Sequence, residues 1–158
     1  MAKSQYEVCV GVLRRLRKEG VLEHVVLIGS WCVLFHEDFF RLDGYYPTIR
    51  TRDIDILVPV PPRIPVKVDL PSILREMDFV MELKGSRGFM QFLHPDLLLE
   101  FLVPERARGS DRPYDLPALG VNAQPLRYLD LLLRDVVALK FEGAPCGSRI
   151  PPTSPSTS

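Results

Sequence analysis

The sequence predicts an α+β domain: a mixed, largely antiparallel central sheet with helices packed on it. Three observations point there. An amphipathic helical pattern fills Ser4 to Glu19; two short apolar runs follow, one broken by Gly29-Ser30 and one holding Asp53 and Asp55; three further strand patterns then succeed one another across short turns. With 46% hydrophobic residues in a chain of 158, one domain has ample material for a core. The expected division is a domain over residues 1–143 and a disordered tail over 144–158, where Pro, Ser and Thr dominate.

In the first helix Val8, Val12, Leu13 and Leu16 recur at helical spacing, Arg14, Arg15, Arg17 and Lys18 crowd the other positions, and Gly20 supplies a stop. His24 to Ile28 reads as a short buried strand. Gly29-Ser30 then opens a helix to about Leu42, with Ser30 as its cap and Trp31 and Phe35 in the core. Asp43-Gly44 and Pro47 mark a loop carrying Tyr45 and Tyr46, and Arg52 to Val58 forms the next strand until Pro59, Pro61, Pro62 and Pro65 end it. Leu70 to Met77 is a short helix. Phe79 to Leu83, Phe89 to Leu93 and Leu97 to Val103 are strands of an antiparallel meander, joined by Lys84-Gly85-Ser86-Arg87-Gly88 and by His94-Pro95-Asp96. Pro104 to Pro117 reads as an exposed loop carrying Arg106, Arg108 and Arg112 over a substrate; a helical turn at Leu129 to Leu133 and a strand at Val136 to Phe141 follow.

Lys plus Arg and Asp plus Glu are 20 each, so no global basic field drives sequence-independent nucleic-acid binding. Cys9, Cys32 and Cys146 are widely separated and fit a reducing compartment; with no apolar leader and no membrane-spanning run, a cytoplasmic protein is expected. His24, His36 and His94 lack zinc-ligand spacing.

The chemistry lies in the carboxylates. Alternate strand residues share a face, so Asp53 and Asp55 point the same way while Ile54 and Ile56 enter the opposite layer. Like charges held so close favour a cation between them, and magnesium, bound by carboxylate and phosphate oxygens, suits the site. Glu100 is a third acid in an apolar strand, where an uncompensated charge is unfavourable. Gly29-Ser30 at a helix start offers backbone N–H groups and a hydroxyl to a phosphate.

This combination resembles the nucleotidyltransferase superfamily related to DNA polymerase beta, whose signature is a hydrophobic strand, Gly-Gly or Gly-Ser, and then Asp-x-Asp or Asp-x-Glu. The likeness runs over Val21 to Val103, more weakly to Phe141, and is closest to minimal bacterial members, including toxin-like members of toxin–antitoxin systems. It implies the nucleotidyltransferase fold, nucleotide (ATP) binding at Gly29 and Ser30, and two magnesium ions, with manganese as a substitute, on Asp53, Asp55 and Glu100. Arg50, Arg52, Lys84 and Arg87 add positive charge near the triphosphate. The implied reaction moves a nucleoside monophosphate from a nucleoside triphosphate to an acceptor hydroxyl and releases pyrophosphate. The acceptor is open among a protein, a tRNA end and a small molecule, and an antitoxin-type protein is an expected partner. Relatives carry further helices after the catalytic sheet, so the chain reads as a C-terminally truncated copy. Two alternatives stand beside this: a degenerate member that binds nucleotide or a partner without turnover, and a sugar-nucleotide glycosyltransferase, which leaves Gly29-Ser30 and Glu100 unexplained.

Overall fold

The computed structural model describes residues 3–28, 52–105, 112–127, 129, 136–141 and 144–149. Helix α1 spans Lys3–Lys18, one residue from the expected bounds. Cys9, Val12, Leu13 and Leu16 line its buried side, while Arg14, Arg17 and Lys18 stay exposed. Arg15 bridges outward, 3.1 Å from Glu19 and 3.7 Å from Glu76. At its end Gly20 takes a φ of 76°, the Gly20 N–H donates to the Arg17 carbonyl at 3.0 Å, and the Val21 N–H donates to the Leu16 carbonyl at 2.9 Å. That paired closure satisfies carbonyls the helix leaves open, and it needs a left-handed residue at this place. A 3-10 turn over Leu22–His24 comes next, so strand β1 covers only Val26–Ile28 and starts later than the apolar run suggests.

The remaining elements are β2 (Asp53–Leu57), α2 (Leu70–Glu76), β3 (Val80–Lys84), β4 (Phe89–Leu93), β5 (Leu98–Pro104), β6 (Tyr114–Leu116), β7 (Val121–Leu126), β8 (Val136–Phe141) and β9 (Ala144–Arg149). The main sheet runs β3-β4-β5-β2-β1-β9-β8. Strand β5 has a divided edge: β4 pairs with its first half at Leu98 to Glu100, and β7 with its second half at Leu102 to Pro104. Strand β6 completes a hairpin on β7. The β1–β2, β3–β4, β4–β5, β6–β7 and β8–β9 pairs are antiparallel; β1–β9, β2–β5 and β5–β7 are parallel. The expected mixed, largely antiparallel sheet is therefore present, and β3-β4-β5 is the expected meander.

Three segments differ from the sequence expectation. Part of the supposed loop before Pro117 is strand β6, and β7 had no counterpart at all. Both are short or interrupted by Asn122, Gln124 and Pro125, which hides the alternation of a strand. Third, the tail expected from Ala144 begins instead with β9, whose backbone pairs with β8 and, in parallel, with β1. Proline and glycine lower strand propensity locally, but pairing to two neighbours overrides it.

One face of the sheet is sealed. Ile54, Ile56, Phe92, Leu99 and Phe101 form one buried cluster with Cys9, Val12, Leu13 and Leu16 of α1 and Leu70, Ile73 and Leu74 of α2. The Phe92 and Phe101 rings meet edge to face at 6.1 Å. On the other face Val26, Ile28, Leu57, Leu102 and Leu129 make a smaller apolar patch beside the acids. Helix α2 is capped by Asp69, whose carboxylate accepts from the Ser72 N–H at 3.3 Å and the Ser72 hydroxyl at 2.7 Å.

Candidate active site

Along β2 the burial alternates as the sequence demands: Asp53 is exposed, Ile54 buried, Asp55 half-buried and Ile56 buried. Strand β5 alternates likewise, with Leu99 and Phe101 buried and Glu100 between them half-buried. The parallel register joins the two patterns, because Asp53 pairs with Leu98 and Asp55 with Glu100. Register partners on neighbouring strands lie about 4.8 Å apart and project to the same side. Asp55 and Glu100 are consequently side by side, with Asp53 one pleat away on the same face. The row extends across five strands as Glu82, Gln91, Glu100, Asp55 and Ile28.

The electrostatics follow from this placement. Burial, then the charges of Glu100 and Asp53, push the Asp55 carboxyl up to about 6, while Lys84 opposes the rise. Glu100 is stabilised from its other side: the Gln91 amide donates to its Oε1, and the Lys84 ammonium stands 3.5 Å from the same oxygen. The Glu100 side chain is 18% exposed. Among the described residues, no group of three or more His, Cys, Asp or Glu side chains is gathered closely enough to hold a metal ion. Asp53, Asp55 and Glu100 share a face and offer only oxygen donors, a set suited to a hard divalent cation.

The other sequence-predicted residues distribute differently. Lys84 reaches the acids from β3. Arg87 sits exposed in the turn between β3 and β4. Arg52 is not brought to the carboxylates; its guanidinium donates to the carbonyls of His94, at 3.3 Å, and Pro95, in the β4–β5 turn. As the neighbour of Asp53 in an extended chain, it projects to the opposite side. Gly29, Ser30 and Arg50 lie outside the described residues, although β1 ends at Ile28, the register partner of Asp55, one residue before Gly29.

Two residues of the site escaped the sequence reading. Gln91 looks like an ordinary outward-facing polar position between Met90 and Phe92, yet it holds Glu100. Asn122, on β7, fastens the β3–β4 hairpin: its Oδ1 accepts from the Met90 N–H at 2.9 Å and its amide donates to the Gly88 carbonyl at 3.0 Å. For Gln91 the available signal was a lone amide in an apolar strand; Asn122 shares its strand with Gln124 and Pro125 and gave no such signal.

The family model described as Nucleotidyltransferase matches residues 7–151. No curated protein matches the chain, nor does any solved structure. The match spans both acid-bearing strands and the whole described sheet, and the chain belongs to this nucleotidyltransferase family.

Proposed function

We propose that the chain is a magnesium-dependent nucleotidyltransferase moving a nucleoside monophosphate from a nucleoside triphosphate to an acceptor hydroxyl. The observation that carries this reading is the register of Asp55 against Glu100, with Asp53 on the same face. Family membership supports nucleotidyl transfer in general. In the proposed reaction the acceptor oxygen bonds to the α-phosphorus, the bond from that phosphorus to the bridging oxygen breaks, and pyrophosphate leaves. The hydroxyl proton passes to water.

Asp53, Asp55 and Glu100 are the residues that would hold two magnesium ions, or manganese in their place. Bound there, such cations supply charge neutralisation, a more acidic acceptor hydroxyl and a stabilised leaving group. The chain's own contribution is largely positioning. The rigid strands β2 and β5 fix the acids, and the sealed opposite face prevents their rotation into the core. Lys84 and Arg87, both on the β3–β4 hairpin, bring positive charge for the triphosphate, and Gly29-Ser30 supplies its phosphate turn. On this reading ATP is among the substrates, and the acceptor hydroxyl belongs to a protein, a tRNA end or a small molecule. A cytoplasmic setting and an antitoxin-type protein partner belong to the same proposal. No helix among the described residues is long and apolar enough to cross a membrane.

Pyrophosphate release tests the reading directly. The four ribonucleoside triphosphates are each incubated with magnesium and a panel of protein, tRNA and small hydroxyl acceptors, using wild type and the Asp53→Ala/Asp55→Ala variant. Release by the wild type that is absent from the variant is expected. Triphosphate binding without release would instead favour a protein of this fold that binds nucleotide without turnover.

A further inference from the structure

Among the described residues, the two side-chain contacts made to Glu100 fall on one oxygen. The Gln91 amide donates to Oε1, and the Lys84 ammonium lies 3.5 Å from that same atom. Gln91 is no accidental neighbour, because it is the register partner of Glu100 on β4, and β4 is in turn locked to β7 by Asn122. Lys84 arrives differently, from the exposed strand β3, with its side chain 53% exposed. One contact is therefore short-armed and built into the sheet, whereas the other is a long flexible arm reaching in from solvent.

We infer that Gln91 is a positioning residue that reserves Oε1 of Glu100 and leaves Oε2 as the oxygen for a divalent cation, and that Lys84 is an exchangeable counter-ion for the same carboxylate. The inference rests on the metal-dependent reading of the site. Its consequence is selectivity. Calcium accepts both oxygens of a carboxylate at long, flexible distances, but magnesium demands a tight octahedral shell in which a carboxylate gives one oxygen. A glutamate whose second oxygen is held by an amide suits magnesium and disfavours calcium. Lys84, by contrast, competes with any cation for Glu100, and is released toward the phosphates once that cation is bound.

The test uses the full chain and manganese alone as the probe, following the loss of the free-ion electron paramagnetic resonance signal. Magnesium and calcium are then titrated separately as displacing ions. Wild type should bind manganese, Asp55→Asn should not, and magnesium should displace at lower concentration than calcium. In Gln91→Met, of similar volume but without the donor, manganese and magnesium should bind roughly tenfold more weakly, the scale on which partners of metal ligands act. Calcium should weaken less, so the preference for magnesium narrows. Gln91→Asn, still polar but too short to reach, should repeat the shift and guards against a folding defect in the first variant. Lys84→Met should change binding in the opposite direction, tightening manganese. A magnesium-to-calcium preference unchanged in both Gln91 variants, with manganese still bound, overturns this inference and leaves the proposed function standing. Manganese binding that is absent from wild type, or indifferent to Asp55→Asn, overturns both.

Discussion

Asp55 and Glu100 are register partners on adjacent parallel strands, so two carboxylates remote in sequence stand on one face of the sheet at neighbouring positions. Asp55 bears the cost of that arrangement, since desolvation and two nearby acids raise its carboxyl to about 6.

The sign of the pH effect is fixed by that direction. The folded chain binds the Asp55 proton more tightly than the unfolded chain, whose value is 3.8. The resulting stabilisation is complete below about pH 4 and is lost as pH rises through about 6. In protein stripped of divalent cations with a chelator, Asp55→Asn should therefore melt higher than wild type at pH 8, by on the order of 3 °C. The gap should close as pH falls between those limits. Melting curves across pH 4 to 8 decide it, and a gap that does not vary with pH would contradict the buried-acid account.

Asn122 acts as a side-chain substitute for strand pairing, holding the Met90 N–H and the Gly88 carbonyl. Asn122→Ala leaves both groups without these partners and should cost about 1 to 2 kcal/mol in urea unfolding. Hydrogen exchange gives the more specific readout. Faster exchange of the Met90 amide is expected, and unchanged protection there would show that the hairpin is held by other contacts.

At the end of α1, Gly20 adopts a φ of 76° to close the helix on Arg17 and Leu16. A Cβ there would meet Val66 at an ordinary 3.6 Å, so crowding is not the obstacle. The backbone is, and Gly20→Ala should lower stability by about 1 kcal/mol. A reduced urea midpoint with an unchanged slope is the expected result; an unmoved midpoint would mean that the helix end tolerates another closure.

How much of this was written in the sequence depends on the kind of information. Apolar runs at period two located β2, β4 and β5 and assigned Asp53, Asp55 and Glu100 to strands. Alternation also set their faces. It does not choose partners: the resemblance implied that Glu100 joins Asp53 and Asp55 in one site, but the parallel direction of the β2–β5 pairing was not legible, because either strand's pattern is satisfied by many neighbours. Arg52 shows a reading that alternation alone corrects, since an arginine next to Asp53 belongs to the other face. Gln91 illustrates the reverse case: its polarity was visible, but its meaning depends wholly on Glu100 lying opposite. Strands β7 and β9 were missed because prolines and amides break their patterns, and their order comes from the neighbours they pair with.

The interleaving of acids with large apolar residues on β2 and β5 sets a measuring rule for the site. Each strand is flanked on both edges, β2 by β1 and β5, and β5 by β2 and by β4 and β7 in succession. A slip of β5 by one residue would drive Glu100 among Ile54, Ile56 and the helices while turning Leu99 and Phe101 out to water. The greasy side therefore works as a proofreading device for the charged side. Its safeguard is indifferent to what the acids do, so the carboxylates can be exchanged for other chemistry while the ruler that aligns them stays unchanged.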